Sequence, residues 1–224
     1  MLATGFPYRL YLVLSAEACA GRDLVAVAEA AVRGGVDLVQ LREKHADAAT
    51  FRARAERLQA MLARYQVPLL INDNLAVARQ VGAAGLHVGL SDLPPTQVRA
   101  AWPACRLLGY SIEYAHQLAS PETAAADYLG ISPVFRTPTK TDTVTEWGLA
   151  GVQAIRAATP KPLVAIGSLH AANARAVVQA GADCVAVVSA ICAAPDPERA
   201  AAELRQAVEL GIAGHPPTRN RTSC

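Results

Sequence analysis

The chain has 224 residues, 52% of them hydrophobic and 18% charged, with a formal net charge of +2. That length fills one domain core and leaves no room for two full ones. A nearly neutral balance without a basic stripe excludes a general nucleic-acid binder, and no apolar run reaches the roughly 18 residues a membrane helix needs.

Short apolar runs alternate with Ala-rich segments of helical period. In chain order, the predicted strands cover 9–14, 38–41, 68–71, 85–88, 106–109, 128–131, 163–166 and 184–188. Predicted helices lie between and after them, at about 21–34, 50–65, 74–83, 95–102, 113–125, 148–158, 171–180 and 196–210. Gly34-Gly35, Gly82 and Gly181 stand where helices close and a left-handed cap is wanted. Pro94 and Pro95 suit the opening of the fourth helix. Eight strand–helix units spread evenly over one domain predict a single-domain (β/α)8 barrel spanning 1–212. A doubly wound open sheet shares the alternation, but no GxGxxG opens a helix after the first strand. The stretch 132–147, after the sixth strand, is the longest irregular one and holds five threonines with Lys140 and Asp142. Loops of that length inside a compact domain are usually functional or disordered. Residues 213–224 carry Pro216, Pro217, Arg219 and Arg221 and read as a disordered tail.

The five cysteines, at 19, 105, 184, 192 and 224, form no CxxC pair. They read as reduced thiols of a cytoplasmic protein, with no zinc site. The opening residues are too short a run, broken by Gly5 and Pro7, for a signal peptide.

Chemistry in a barrel gathers where strands end, at the C-terminal face. At the second strand, alternation puts Gln40, Arg42 and Lys44 on one face, with Leu41 and Glu43 on the other. Two cations and an amide on one face look like the wall of an anion site. The third strand ends in Asn72-Asp73, and the fourth leads to Asp92. Two carboxylates at adjacent strand ends suit a hard dication such as magnesium, completed by water or phosphate oxygens. Helix capping is the rival for each, and for Asp92 above all, just ahead of Pro94-Pro95. Ser111 follows the fifth strand, and Thr137, Thr139 and Lys140 follow the sixth. Gly167-Ser168 and Val188-Ser189 fall after strands seven and eight, where many barrels hold a phosphate on backbone N–H groups; a tight turn with a cap is the alternative. Arg42, Lys44, Lys140 and one dication, less two aspartates, leave about three positive charges, a match for a diphosphate. His87 within strand four reads as a satisfied core residue. No Ser-His-Asp order or paired-carboxylate spacing suggests acyl transfer or glycoside cleavage.

Taken in order, these residues resemble the thiamine phosphate synthase family. The matching segments are Gln40-Leu41-Arg42-Glu43-Lys44, Ile71-Asn72-Asp73, Gly85-Leu86-His87-Val88-Gly89 with Ser91-Asp92, Gly109-Tyr110-Ser111, Pro133-Val134-Phe135 running into Thr137-Pro138-Thr139-Lys140, Val164-Ala165-Ile166-Gly167 and the strand from Gly181 into Val188-Ser189. The resemblance implies a (β/α)8 transferase. Such an enzyme joins 4-amino-2-methyl-5-hydroxymethylpyrimidine diphosphate to a thiazole phosphate, or its carboxylated form, and releases diphosphate. It implies that Gln40, Leu41, Arg42, Glu43, Lys44 and Asn72 hold the pyrimidine diphosphate, with Ser111 on that substrate and Lys140 on its diphosphate. Asp73 and Asp92 would bind Mg2+. Thr137, Pro138, Thr139, Gly167, Val188 and Ser189 would meet the thiazole phosphate. Arg42, Lys44, Lys140 and Ser111 would carry the catalysis. Partners would be these small molecules, with no nucleic acid or membrane and room for a homo-oligomer. A thiazole tautomerase on the same barrel, or a non-catalytic thiamine-phosphate binder, is the alternative. Ser168 and Ser132 stand where the family commonly has glycine, and a Cβ at 168 could crowd a phosphate.

Overall fold

The computed structural model describes residues 6–136 and 146–214. Its eight strands are parallel and close on themselves in sequence order, β1 pairing with both β2 and β8. They are β1 (Leu10–Leu14), β2 (Leu38–Leu41), β3 (Leu69–Asn72), β4 (Gly85–Val88), β5 (Leu107–Ile112), β6 (Tyr128–Ile131), β7 (Leu163–Ile166) and β8 (Cys184–Val187). Each is short and almost wholly buried, as expected of parallel strands covered on both faces. Alternation divides the core in two. Leu10, Leu12, Leu14, Val39 and Leu41 point outward to the helices, while Tyr11, Val13, Leu38, Leu70, Tyr128, Val164 and Cys184 fill the barrel interior.

The described helices are α1 (Leu24–Arg33), α2 (Ala48–Ala63), α3 (Leu75–Gln80), α4 (Pro95–Ala101), α5 (Pro121–Ala125), α6 (Gly148–Ala158), α7 (Ala171–Gln179), α8 (Ser189–Cys192) and α9 (Pro197–Ala213). Asp23, Asp47, Asn74, Ser120 and Asp196 cap α1, α2, α3, α5 and α9 through side-chain bonds to backbone N–H groups. Gly35, Gly82 and Gly181 take the left-handed conformation that turns each helix back toward its strand.

Three elements differ from the sequence expectation. β5 runs on to Ile112, so Ser111 lies within the strand. The expected helix over 113–125 is a 3-10 turn (Ala115–Ala119) followed by α5, because Ser120 caps a fresh start at Pro121. An additional one-turn helix, α8, stands between β8 and α9. No described helix is long and apolar enough to cross a membrane. From residue 215 on, the expected tail lies outside the described residues.

Candidate active site

A cavity of about 410 Å³ opens at the C-terminal ends of the strands. Past the end of β2, the chain keeps its alternation, and Arg42 N–H still donates to Leu14 O at 2.8 Å. Gln40, Arg42 and Lys44 therefore all line the cavity. Leu41 and Glu43 alternate away from it. Leu41 is fully buried against the helices. Glu43 accepts from Ala16 N–H at 2.8 Å and from Arg54 of α2 at 2.8 Å.

Asn72, Asp73 and Asp92 form the adjoining wall. Neither aspartate is a cap. The cap of α3 is Asn74, and α4 is preceded at its cap position by Pro94, with no side-chain cap bond. Asp92 instead accepts from Gly89 N–H at 2.7 Å. Asp73 adopts φ +60°, a conformation aspartate tolerates better than most residues, and so aims its carboxylate into the mouth. Asn72 donates to it at 2.5 Å, and Lys44 Nζ lies 3.3 Å away. Burial and the neighbouring Asp92 push the Asp73 carboxyl up to about 6. Burial also acts to raise Asp92, but the hydrogen bond from Asp73, the Gly89 N–H and Lys44 hold it below its ordinary value. Two neighbouring carboxyls in a half-buried mouth, one raised by burial and by the other, are suited to a dication that relieves their mutual repulsion. Among the described residues, no third His, Cys, Asp or Glu joins them, so other ligands would be water or phosphate oxygens.

The opposite wall carries Gly167, Ser168, Val188 and Ser189. A Cβ on Gly167 would stand 2.7 Å from Pro133 Cβ, so glycine is what lets the β7 loop press against the β6 loop. Ser168 sits at φ +49° and donates its hydroxyl to Arg136 O at 2.6 Å, which ties the two loops together. Thr137, Pro138, Thr139 and Lys140 lie outside the described residues.

Sequence reasoning passed over part of the site. His87 lines the cavity, with Nε2 at 2.9 Å from Ser111 Oγ and Nδ1 at 2.8 Å from Tyr128 Oη. It is satisfied, as read, but it faces the mouth rather than the outer core. The sign was Gly85, His87 and Gly89 sharing one strand face, a polar ring flanked by glycines. Glu113 also lines the cavity, two residues beyond Ser111 and so on the same face.

The model of the family described as thiamine monophosphate synthase matches residues 10–191. The chain belongs to that family. A thiamine-phosphate synthase of Albidiferax ferrireducens is 50% identical over 90% of this chain and 92% of its own length. One from Syntrophomonas wolfei is 43% identical over 89% and 95%. The structure of a thiamine phosphate pyrophosphorylase from Pyrococcus furiosus superposes with a TM-score of 0.84 at 30% identity, covering 92% of this chain and 98% of that one. A 3-hexulose-6-phosphate synthase, at 20% identity and a TM-score of 0.64, shares the barrel fold alone.

Proposed function

We propose the following division of labour in the barrel mouth. The chain is a thiamine phosphate synthase: it condenses the pyrimidine diphosphate with the thiazole phosphate to thiamine monophosphate and diphosphate. The observation that carries the assignment of residues is their convergence: Gln40, Arg42, Lys44, Asn72, Asp73, Asp92 and Ser111 border one cavity with Gly167, Val188 and Ser189. Its size lies within the range of small-ligand sites.

Arg42, Lys44 and Lys140 hold the diphosphate and take up the charge that builds on it as it leaves. Asp73 and Asp92 would hold a magnesium ion, which supplies further charge neutralisation on the leaving group. The C–O bond breaks with its electron pair passing to the diphosphate oxygen. The pyrimidinylmethyl cation left behind is stabilised by the amino group on its ring. Gln40, Asn72 and Ser111 orient that ring. The thiazole phosphate sits on Thr137, Thr139 and the backbone N–H groups around Gly167 and Val188-Ser189, near the start of α8. Its nitrogen lone pair forms the new C–N bond. No proton has to be removed from that nitrogen, so the site needs no general base, and positioning carries much of the remaining rate.

The test is direct. Both phosphorylated substrates with magnesium should give thiamine monophosphate and diphosphate in equal amounts, chelation should stop synthesis, and added magnesium should restore it. Failure to form thiamine monophosphate from both substrates overturns the reaction; undiminished synthesis in excess chelator overturns the metal.

A further inference from the structure

A chain of hydrogen bonds crosses the barrel interior at the floor of the cavity, which Tyr11, Gln40, His87 and Ser111 line. Gln40 Nε2 lies 2.5 Å from Tyr11 Oη. Tyr11 Oη lies 3.1 Å from Tyr128 Oη, which lies 2.8 Å from His87 Nδ1. His87 Nε2 ends the chain, 2.9 Å from Ser111 Oγ. The arrangement is built into the sheet. His87, Gly109 and Tyr128 are register partners across β4, β5 and β6, so the imidazole and the phenol meet over the glycine. A Cβ at Gly109 would stand 2.2 Å from Tyr128 Cζ and 2.3 Å from His87 Nδ1. At Gly130 it would stand 3.2 Å from His87 Cε1. The two rings stack with centroids 5.6 Å apart.

The chain has one direction in which every buried proton is used. The Gln40 amide nitrogen can only donate, so Tyr11 Oη accepts. Tyr11 then gives its own proton to Tyr128, and Tyr128 gives its proton to His87 Nδ1. The ring proton therefore resides on Nε2 and points at Ser111 Oγ. Run the other way, Tyr11 would accept from both Gln40 and Tyr128, and its own proton, fully buried, would meet no acceptor among the described residues. A buried donor left without an acceptor is strongly disfavoured. Burial holds both phenols well above the usual range, so each keeps the proton it must pass on.

We infer that Gln40, Tyr11, Tyr128 and His87 form a polarised relay that leaves the Ser111 hydroxyl proton aimed into the cavity, as a donor to a ring-nitrogen lone pair of the bound heterocycle. Tyr11, Tyr128 and His87 are on this account positioning residues. The part concerning the ligand rests on the synthase reading, in which Ser111 meets the pyrimidine. A donor at Ser111 selects for an unprotonated ring nitrogen and against an amino group at the same place, which deepens that reading from a contact to a direction.

The experiment is 15N NMR of the His87 ring in the wild-type protein without substrate, together with kinetics of Tyr128→Phe. The expected result is a neutral ring protonated at Nε2, with Nδ1 shifted as a hydrogen-bond acceptor. In Tyr128→Phe the Nδ1 signal should lose that shift. The KM for the pyrimidine diphosphate should rise roughly fivefold to tenfold, as loss of one oriented hydrogen bond predicts, while the KM for the thiazole phosphate stays within twofold. A ring protonated at Nδ1, or at both nitrogens, in the wild type overturns the relay whether or not any variant folds. So does a folded Tyr128→Phe protein with unaltered ring signals. Because the NMR reading needs no substrate, the two ideas fail separately. The wrong tautomer with intact synthesis overturns the relay alone, and the expected tautomer without synthesis supports the relay and overturns the synthase reading.

Discussion

Asp73 and Asp92 are held close together by a turn that places Asp73 in the left-handed region and by the Gly89 N–H that fixes Asp92. In the metal-free protein the two carboxyls act on stability in opposite senses. Folded, Asp73 keeps its proton up to about pH 6, while unfolded it loses it near the ordinary 3.8. The folded state thus binds the extra proton over that interval, and the Asp73 contribution is lost as pH rises through it. Asp92, held low, contributes in the opposite sense, with stability present above its ordinary value and lost on acidification. At pH 7 to 8 both carry charge. Asp73→Asn should therefore raise the melting temperature of the metal-free protein there by a few degrees, on the order of 1 kcal/mol, with the gain shrinking as pH falls below about 6 and gone near the ordinary 3.8. Magnesium should raise the melting point of the wild type and not of the variant. Thermal melts across pH, with and without the ion, check both statements, and a metal-free variant that melts lower at pH 8 would remove the pair from this role. On the cationic side, Arg42→Ala or Lys140→Ala should each lower turnover by about 10² or more, as loss of a charge aimed at a leaving group does. Near-normal turnover in both would leave the diphosphate without its protein partners.

The elements were legible where local pattern decides. Apolar runs of four or five residues gave all eight strands, and Gly35, Gly82 and Gly181 marked the ends of their helices. The gaps arose where tertiary contact decides. The expected fifth strand covers 106–109, with Ser111 at its end. The strand continues because Ser111 and Ile112 find register partners in Gly130 and Ile131 of β6. His87 was legible as satisfied, but its partners Ser111 and Tyr128 lie 24 and 41 residues away, beyond any local motif. Gly167 was read for its amide, and the structure adds a packing reason. Its φ of +118° and its contact with Pro133 leave no room for a side chain. Gly167→Ala should therefore cost about 2–3 kcal/mol through overpacking and an unfavourable backbone angle. It should also push the β6 and β7 loops apart. The expected kinetic result is a KM for the thiazole phosphate raised at least tenfold, with that for the pyrimidine diphosphate changed far less. Equal rises in both constants would mean that the loops do not divide the mouth between the two substrates.

Over the whole molecule, function and closure occupy opposite ends of the barrel. At the N-terminal face, Asp37, Asp127 and Asp183 each stand one residue before a strand, β2, β6 and β8 respectively. Each accepts the N–H of the neighbouring strand: Leu10 at 3.0 Å, Leu108 at 2.6 Å and Leu163 at 2.8 Å. Each is also bound by an arginine from a surrounding helix: Arg205 of α9 at 2.7 Å, Arg99 of α4 at 2.6 Å and Arg156 of α6 at 3.0 Å. The arginines reach further, to the carbonyls of Gly35, Cys105 and Lys161. The same clamp thus recurs three times, pinning a helix to the floor of the sheet. An aspartate directly before an apolar run was visible in the sequence, but its arginine was not. Arg205 lies 168 residues from Asp37, and joins the last helix to the first two strands. That contact fastens the last helix over the seam where β1 and β8 pair. Burial works to raise the Asp37 carboxyl, against the Leu10 and Arg9 N–H groups and Arg205, so removing it leaves two buried donors and a guanidinium without their acceptor. Asp37→Ala should cost about 2–4 kcal/mol. Asp127→Ala and Asp183→Ala, whose carboxylates are more exposed, should cost about half as much. None should change kcat or either KM by more than about twofold, because this end of a barrel serves stability rather than chemistry. Urea denaturation paired with steady-state kinetics separates the two quantities. A folded Asp37→Ala protein that had lost turnover at unchanged stability would show the two ends of the barrel to be coupled, and the separation argued here would fail.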